Sequence, residues 1–220
     1  MTLLTNGLVF QLAQEDQNRL QRICQPVALT AGQTLGLPGT AQSANIYFLT
    51  GACVALLMDN PPHSSLAVGL VGSEGVIGLG SVLNNGRANW ICRVQTAGSA
   101  WTTNSHDLMQ LLQQRPGMLW VISQYLWQLA GHVATMSASV QFDDITTRLS
   151  HWLVLSADRA QTTHLHLTHE HLAQMLGVRR VSITLAAGDL KDRGLIRYQR
   201  GLLDILDMPA LRQMSDGHRA

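Results

Sequence analysis

Cysteine is scarce in this chain: Cys24, Cys53 and Cys92 are the only three in 220 residues. They lie far apart, form no CxxC pair and are odd in number. That argues against a disulfide scaffold or a zinc knuckle, and for reduced thiols in a cytosol. The chain start has no basic segment leading into an apolar run, so no secretory signal is expected. The longest uncharged stretch, Pro116 to Phe142, contains Ser123, Gln124, Gln128, His132, Thr135, Ser137, Ser139 and Gln141. So many polar groups do not suit a lipid-facing span, and no membrane segment is expected. A nucleophile elbow, a P-loop, a Rossmann glycine fingerprint and an HExxH zinc site are all missing. No enzyme is expected, and no internal repeat or low-complexity tail stands out.

What remains is 46% hydrophobic with a net charge of +1, enough to bury a core in two domains. Charge is unevenly spread: residues 143–220 hold ten of the 15 Lys and Arg. Eleven of the 19 glycines fall between Gly32 and Gly98, which marks a turn-rich region. Residues 1 to about 18 read as a helical lead-in that Gln17 to Cys24 continues. Ile46 to Gly51 and Cys53 to Leu57 read as paired strands. Leu66 to Val71, Trp90 to Thr96 and Ala100 to Thr103 continue the series, as in a barrel or β-roll.

Pro116 to Phe142 reads as one long helix. Leu119, Ile122, Leu126, Leu129, Val133, Met136 and Val140 recur at spacings of three and four, the seam that a helix pair requires. Self-dimerisation through those residues is expected, with Trp120, Val121, Tyr125 and Trp127 packing on the chain's own barrel. Asp143-Asp144 then caps a further helix, whose inner stripe is Ile145, Leu149, Trp152 and Leu153.

The stretch from Thr168 to Asp207 reads as a winged helix-turn-helix. Thr168 caps a short helix with Glu170 in its first turn; Leu172, Ala173, Met175 and Leu176 give it an apolar face, and Gly177 ends it. A second helical pattern runs from Arg179 to Arg193 and stops at Gly194. At 100° per residue, Ile183, Ala186, Ala187 and Leu190 form its buried stripe. Val181, Leu185 and Gly188 lie opposite, flanked by Arg180, Thr184 and Lys191. Leu195 to Asp207 alternates around Arg200-Gly201 as a hairpin should. Six basic residues face two acidic ones between Arg179 and Arg200, the local charge that phosphates attract. Double-stranded DNA is the expected partner; the alternative is a winged helix that contacts protein through Val181 and Leu185.

A glycine-rich β-roll, a long helix and a C-terminal winged helix, in that order, resemble the Crp/Fnr family of bacterial transcription regulators. The residues that carry the resemblance are Tyr47-Phe48-Leu49-x-Gly51 in the roll, Gly194-Leu195-Ile196 at the wing, and a long helix-turn-helix motif. That motif is Leu167-Thr168-x-Glu170-x-Leu172-Ala173-x-Met175-Leu176-Gly177-Val178-x-Arg180. The resemblance implies an α+β chain with a cyclic-nucleotide-binding-type β-roll at 1–115, a dimerisation helix at 116–142 and a DNA-binding winged helix at 143–220. It also implies a homodimer that binds DNA and contacts RNA polymerase. Thr168, His169, Arg179 and Ser182 would lie near phosphates and Arg180 would reach a guanine edge. Val181 and Leu185 occupy two further base-reading positions, where many members carry Glu and the cAMP receptor carries Arg. Val and Leu suit thymine methyl groups instead, so a target unlike the cAMP receptor site is expected.

Aligned to nucleotide-binding members, the sensor pocket would comprise Gly78, Leu79, Arg87, Ala88, Val133 and Ala134. Leu79 stands where those members place a ribose-binding Glu, Ala88 where they place a phosphate-binding Ser, and Val133 and Ala134 offer no hydroxyls. A lost charge-assisted hydrogen bond costs about 1.5–3 kcal/mol, so cAMP is not the expected effector. Glu74-Gly75 is an alternative frame. An iron–sulfur sensor lacks its N-terminal cysteine cluster. Haem on His63, His106 or His132 and a metal on His164, His166, His169 and His171 stay open, although no cofactor is predicted. Without an effector, regulation would fall to abundance or cysteine oxidation.

Overall fold

The computed structural model describes residues 2–36, 45–60, 63–83 and 90–215. A 3-10 turn (Leu3–Thr5) leads into α1 (Gly7–Phe10) and α2 (Gln14–Ile23). Six strands follow: β1 (Gln25–Leu29), β2 (Thr34–Gly36), β3 (Asn45–Leu49), β4 (Cys53–Asn60), β5 (His63–Val71) and β6 (Val76–Ile77). Then come α3 (Gly80–Leu83), β7 (Ile91–Thr96), β8 (Gly98–Asn104), α4 (Ser105–Gln114) and α5 (Met118–Phe142). The remainder is α6 (Ile145–Ala160), β9 (His164–His166), α7 (His169–Leu176), α8 (Arg180–Asp192), β10 (Ile196–Gln199), β11 (Leu202–Ile205) and α9 (Met208–Ser215). The chain divides into two compact units: Met1–Met58 with Gly69–Val133, and Asp59–Val68 with Ala134–Ala220.

The first unit is a two-sheet roll, one sheet ordered β1-β8-β3-β6 and the other β2-β7-β4-β5. β3 and β4, expected to pair, lie in different sheets. The reason is a corner at Thr50-Gly51-Ala52, where three successive N–H groups all donate to the Ser99 carbonyl. Gly98 crosses there so closely that a Cβ would lie 2.3 Å from the Gly51 oxygen. That approach admits only glycine. β3 instead pairs with β8 over Asn45–Leu49 against Asn104–Ala100.

The core under the roll is helical. Leu3, Leu8, Leu20, Leu108, Leu112, Met118 and Ile122 pack with Ile46, Phe48 and Val76. Asn6, fully buried, fastens the lead-in: its amide donates to the Leu49 and Gly75 carbonyls (2.8 and 2.7 Å) and accepts from Val9 N–H. Tyr125 on α5 accepts from Val76 N–H and donates to Val76 C=O. Both partners belong to one short strand, so this side chain ties the long helix to the roll.

Two faces of α5 differ from expectation. Ile122, expected in an intermolecular seam, is buried in the chain's own core, and Leu126 and Leu129 pack against that core. Val133 and Met136 are half-buried. Trp120 and Trp127, expected against the barrel, are 69% and 81% exposed, whereas Tyr125 is buried and Val121 packs inward as expected. The exposed Trp face lies about 140° from the centre of the seam, at 100° per residue. The 3–4 period marked a real apolar stripe, but much of it serves the protomer.

In the second unit, Asp144 caps α6 by accepting from Thr147 N–H at 2.8 Å. Leu149, Trp152 and Leu153 are 0–1% exposed beneath α8 and α9. The small sheet is ordered β10-β11-β9. No helix among the described residues is long and apolar enough to cross a membrane.

Candidate nucleic-acid interface

Local chemistry sets both helices of the turn. Thr168 accepts from His171 N–H at 3.1 Å and starts α7. Leu172, Ala173, Met175 and Leu176 are 0–5% exposed, so the helix buries one face. Gly177 closes it at φ +64°, its N–H bonding Ala173 and Gln174 carbonyls. A side chain at that φ would be strained. The last carbonyl of α7, Leu176, accepts from the guanidinium of Arg148 on α6. Burial pulls the Arg148 pKa down and Asp143 opposes the shift. The ion stays because it satisfies a helix C-terminus that would otherwise lack a donor.

α8 packs inward through Ile183, Ala186, Ala187 and Leu190, at 0–4% exposure. Its outward side carries Val181 and Leu185, 69% and 71% exposed. Arg179, the N-cap residue, is exposed, as are Arg180, Thr184 and Lys191, while Ser182 is half-buried. The structure therefore puts the second helix in the orientation its periodicity implied. The wing turns at Arg200 (φ 50°) and Gly201 (φ 84°), the two positive values of a type I′ hairpin. Arg197 and Arg200 are exposed on it.

His169 joins these parts, a role absent from the sequence. Its Nδ1 lies 3.1 Å from Thr184 Oγ1 on α8. Its ring stacks on Tyr198 of β10 with centroids 4.3 Å apart and planes 23° apart. Thr184 Oγ1 donates its only proton to the Arg180 carbonyl, so the imidazole must be the donor in the other bond. Nε2 is then a lone pair, and it is buried with no partner. Desolvation, and then the neighbouring Arg180 charge, lower the His169 pKa from its ordinary 6.5. Tyr198 could have been found from strand alternation. The Arg148–Leu176 contact could not, since a backbone carbonyl 28 residues away leaves no sequence signal.

The other expected histidine neighbours go elsewhere. His164 Nδ1 pairs with Asp204 Oδ1 at 2.7 Å across the wing sheet, and His166 is exposed on β9. His106 bonds Gln110 and His132 is exposed on α5; the His63 side chain lies outside the described residues. Among the described residues no three His, Cys, Asp or Glu side chains come together as a metal site. All three cysteines are buried, and desolvation pushes the Cys24 and Cys92 thiols up to about 12. Buried thiols that ionise so little are slow to oxidise.

Of the expected sensor residues, Gly78, Leu79, Val133 and Ala134 are described. Gly78 (φ +95°) runs so near Asn45 that a Cβ would lie 2.5 Å from its oxygen. Leu79 is 6% exposed within the core under the roll. Arg87 and Ala88 lie outside the described residues. Val133 is half-buried and Ala134 exposed on α5. The alternative frame is closed as well. Both Glu74 carboxylate oxygens accept from Gly72 N–H, and Tyr125 and Val71 fill the space beside Gly75.

Comparison with known proteins agrees with this geometry. Residues 147–214 match the model of the Crp-like helix-turn-helix domain. A global nitrogen regulator of Synechococcus elongatus is 25% identical over 191 residues, covering 83% of this chain and 86% of that protein. A putative Crp/Fnr-family regulator from Eubacterium rectale superposes with a TM-score of 0.75 at 13% identity, over 97% of this chain and 99% of its own. The c-di-GMP-responsive regulator of Xanthomonas campestris gives 0.72 at 17% identity, over 89% and 100%. Residues 147–214 form a Crp-like helix-turn-helix domain, and the chain as a whole shares its fold with solved regulators of the Crp/Fnr type.

Proposed function

We propose that the protein acts as a cytoplasmic homodimer on a two-fold symmetric DNA site, each protomer laying α8 in a major groove. The observation that carries this reading is the outward face of α8. It presents Arg180 between exposed Arg179 and the wing cations Arg197 and Arg200, while the opposite face is fully buried. In this reading Thr168, Arg179, Ser182 and, through its backbone N–H at the start of α7, His169 meet phosphates, Lys191 adds attraction, and Arg180 reads guanine through O6 and N7. Half-sites then lie about 34 Å apart, one helical turn. Contact with RNA polymerase follows from the family resemblance.

The dimer forms through the exposed side of α5, where Trp120 and Trp127 share one face with Phe142. Apolar groups of that size, seven residues apart on a helix, suit a paired helix better than water. A cyclic-nucleotide effector such as cAMP lacks support, since Leu79 packs in the core where a ribose carboxylate would be needed. The dimer works with another effector or with none.

Purified protein exposed to a random duplex pool, with and without cAMP, tests the proposal. Enrichment of a palindrome without nucleotide is expected. Enrichment only with cAMP overturns the effector reading, and none in either case overturns the DNA reading. Arg180→Ala is expected to cost about 1–3 kcal/mol and relax one base position. Trp120→Glu with Trp127→Glu is expected to give monomers by light scattering; an unchanged mass refutes that interface.

A further inference from the structure

Direct base reading needs either hydrogen-bonding groups or apolar ones at the floor of the major groove. α8 offers few of the first kind. Along its outward side Thr184 is already engaged, donating to the Arg180 carbonyl and accepting from His169 Nδ1. Ser182 is half-buried to one side. Asp189 is paired with Arg193 at 3.0 Å. Lys191 lies about three turns beyond Arg180. Arg180 is left as the N-terminal donor for a base edge.

Beside it stand two apolar side chains that nothing among the described residues covers. Val181 and Leu185 are 69% and 71% exposed, one turn apart, on a helix whose inward residues are nearly inaccessible. Gly188 continues the ridge, and a Cβ there would meet nothing within 4 Å, so the ridge ends in a notch that lets a partner approach. Its surroundings name the partner's charge: Arg179, Arg180, Lys191, Arg197 and Arg200 are all exposed around it. A polyanion with apolar groups at the bottom of a groove is complementary to such a surface. In duplex DNA, the apolar group on the major-groove edge is the 5-methyl of a pyrimidine.

We propose that α8 reads 5-methylpyrimidines through Val181 and Leu185, selecting thymine at the positions they cover and responding to the methyl of 5-methylcytosine. The proposal rests on the DNA-binding reading and deepens it. Burying one methyl against an aliphatic side chain is worth about fourfold in affinity. The same helix with hydrogen-bonding residues at 181 and 185 would be indifferent to that methyl. Here the methyl is the contact.

The test uses the full-length protein and a duplex recovered by it from a random pool, titrated at fixed salt. Deoxyuridine replaces thymine one position at a time, removing only the methyl. At the same positions cytosine is compared with 5-methylcytosine, adding only the methyl. About fourfold weaker binding is expected for each deoxyuridine under Val181 or Leu185, and about fourfold stronger binding for 5-methylcytosine over cytosine. Val181→Ala and Leu185→Ala should each erase the effect at one position; both sites are exposed and alanine favours helix, so the fold is preserved. Equal affinity for thymine and deoxyuridine duplexes, with Arg180→Ala still weakening binding, overturns methyl reading alone. A recovered half-site without thymine on either strand also overturns it. Failure to recover any duplex overturns the DNA reading on which it rests.

Discussion

Protonating His169 should loosen the joint between α7, the reader helix and the wing. The neutral ring is specified by its surroundings: Nδ1 donates to Thr184, whose own proton goes to Arg180, and Nε2 is buried without a partner. A second proton would place an N–H where nothing accepts it and a charge near Arg180, so the folded pKa lies below 6.5. The unfolded chain then binds the proton more tightly than the folded one. Stability is complete above pH 6.5 and falls as pH drops from 6.5 toward the lowered folded value. Between pH 6.5 and 5.5 one such group can remove at most about 1 kcal/mol, less where water reaches the half-buried ring. Urea denaturation of wild type and His169→Gln at pH 7.5, 6.5 and 5.5 isolates the effect, since the other eight histidines are common to both. Wild type should lose more stability than the variant below pH 6.5, and the His169 ring signal should titrate below 6.5 by NMR. Parallel pH profiles, or titration at or above 6.5, would refute the tautomer argument.

Four further outcomes follow from named side chains. Tyr125→Phe leaves Val76 N–H and C=O without their side-chain partner in a buried strand, and should cost about 1–3 kcal/mol in denaturant unfolding; a loss below a few tenths refutes the tie. Arg148→Met removes the donor to Leu176 C=O and should weaken DNA binding at every salt concentration with an unchanged salt slope. Arg179→Ala should instead lower that slope by about one, as expected for a phosphate contact, so equal slopes for Arg179→Ala and wild type would refute its placement. Native protein should resist a thiol reagent for minutes at pH 8, because Cys24 and Cys92 are buried with pKa near 12; rapid labelling of either overturns the argument against redox control.

The reader unit was legible because its punctuation is local. Thr168 caps, Gly177 and Gly194 take positive φ, and Arg200-Gly201 makes a tight turn, each within a few residues of what it controls. The roll was legible as strands but not as pairings. Whether β3 meets β4 depends on Gly51 and Gly98 touching across 47 residues, and neighbouring strands in sequence give no sign of that corner. Leu79 shows the same limit: alignment located the position, while its burial depends on α-helices from both ends of the unit.

The long helix shows most clearly where sequence reasoning stops. Hydrophobic period reveals that a face is apolar, not which molecule buries it. In the proposed dimer, α5 must satisfy two neighbours with one 3.6-residue repeat. Ile122 and Tyr125 are claimed by the protomer, and Trp120 and Trp127 are left outside. Indole rings are costly to leave in water in such number, and their persistence on one exposed face is the physical reason to place the second protomer there. Of the regular seam, Ile122 is buried and Leu126 and Leu129 pack against the protomer's core, while Leu119 and Val140 stay exposed. In the proposed dimer the larger, less regular residues lie where the partner supplies the packing, so an interface on such a helix is better sought among apolar residues that the intramolecular stripe leaves over.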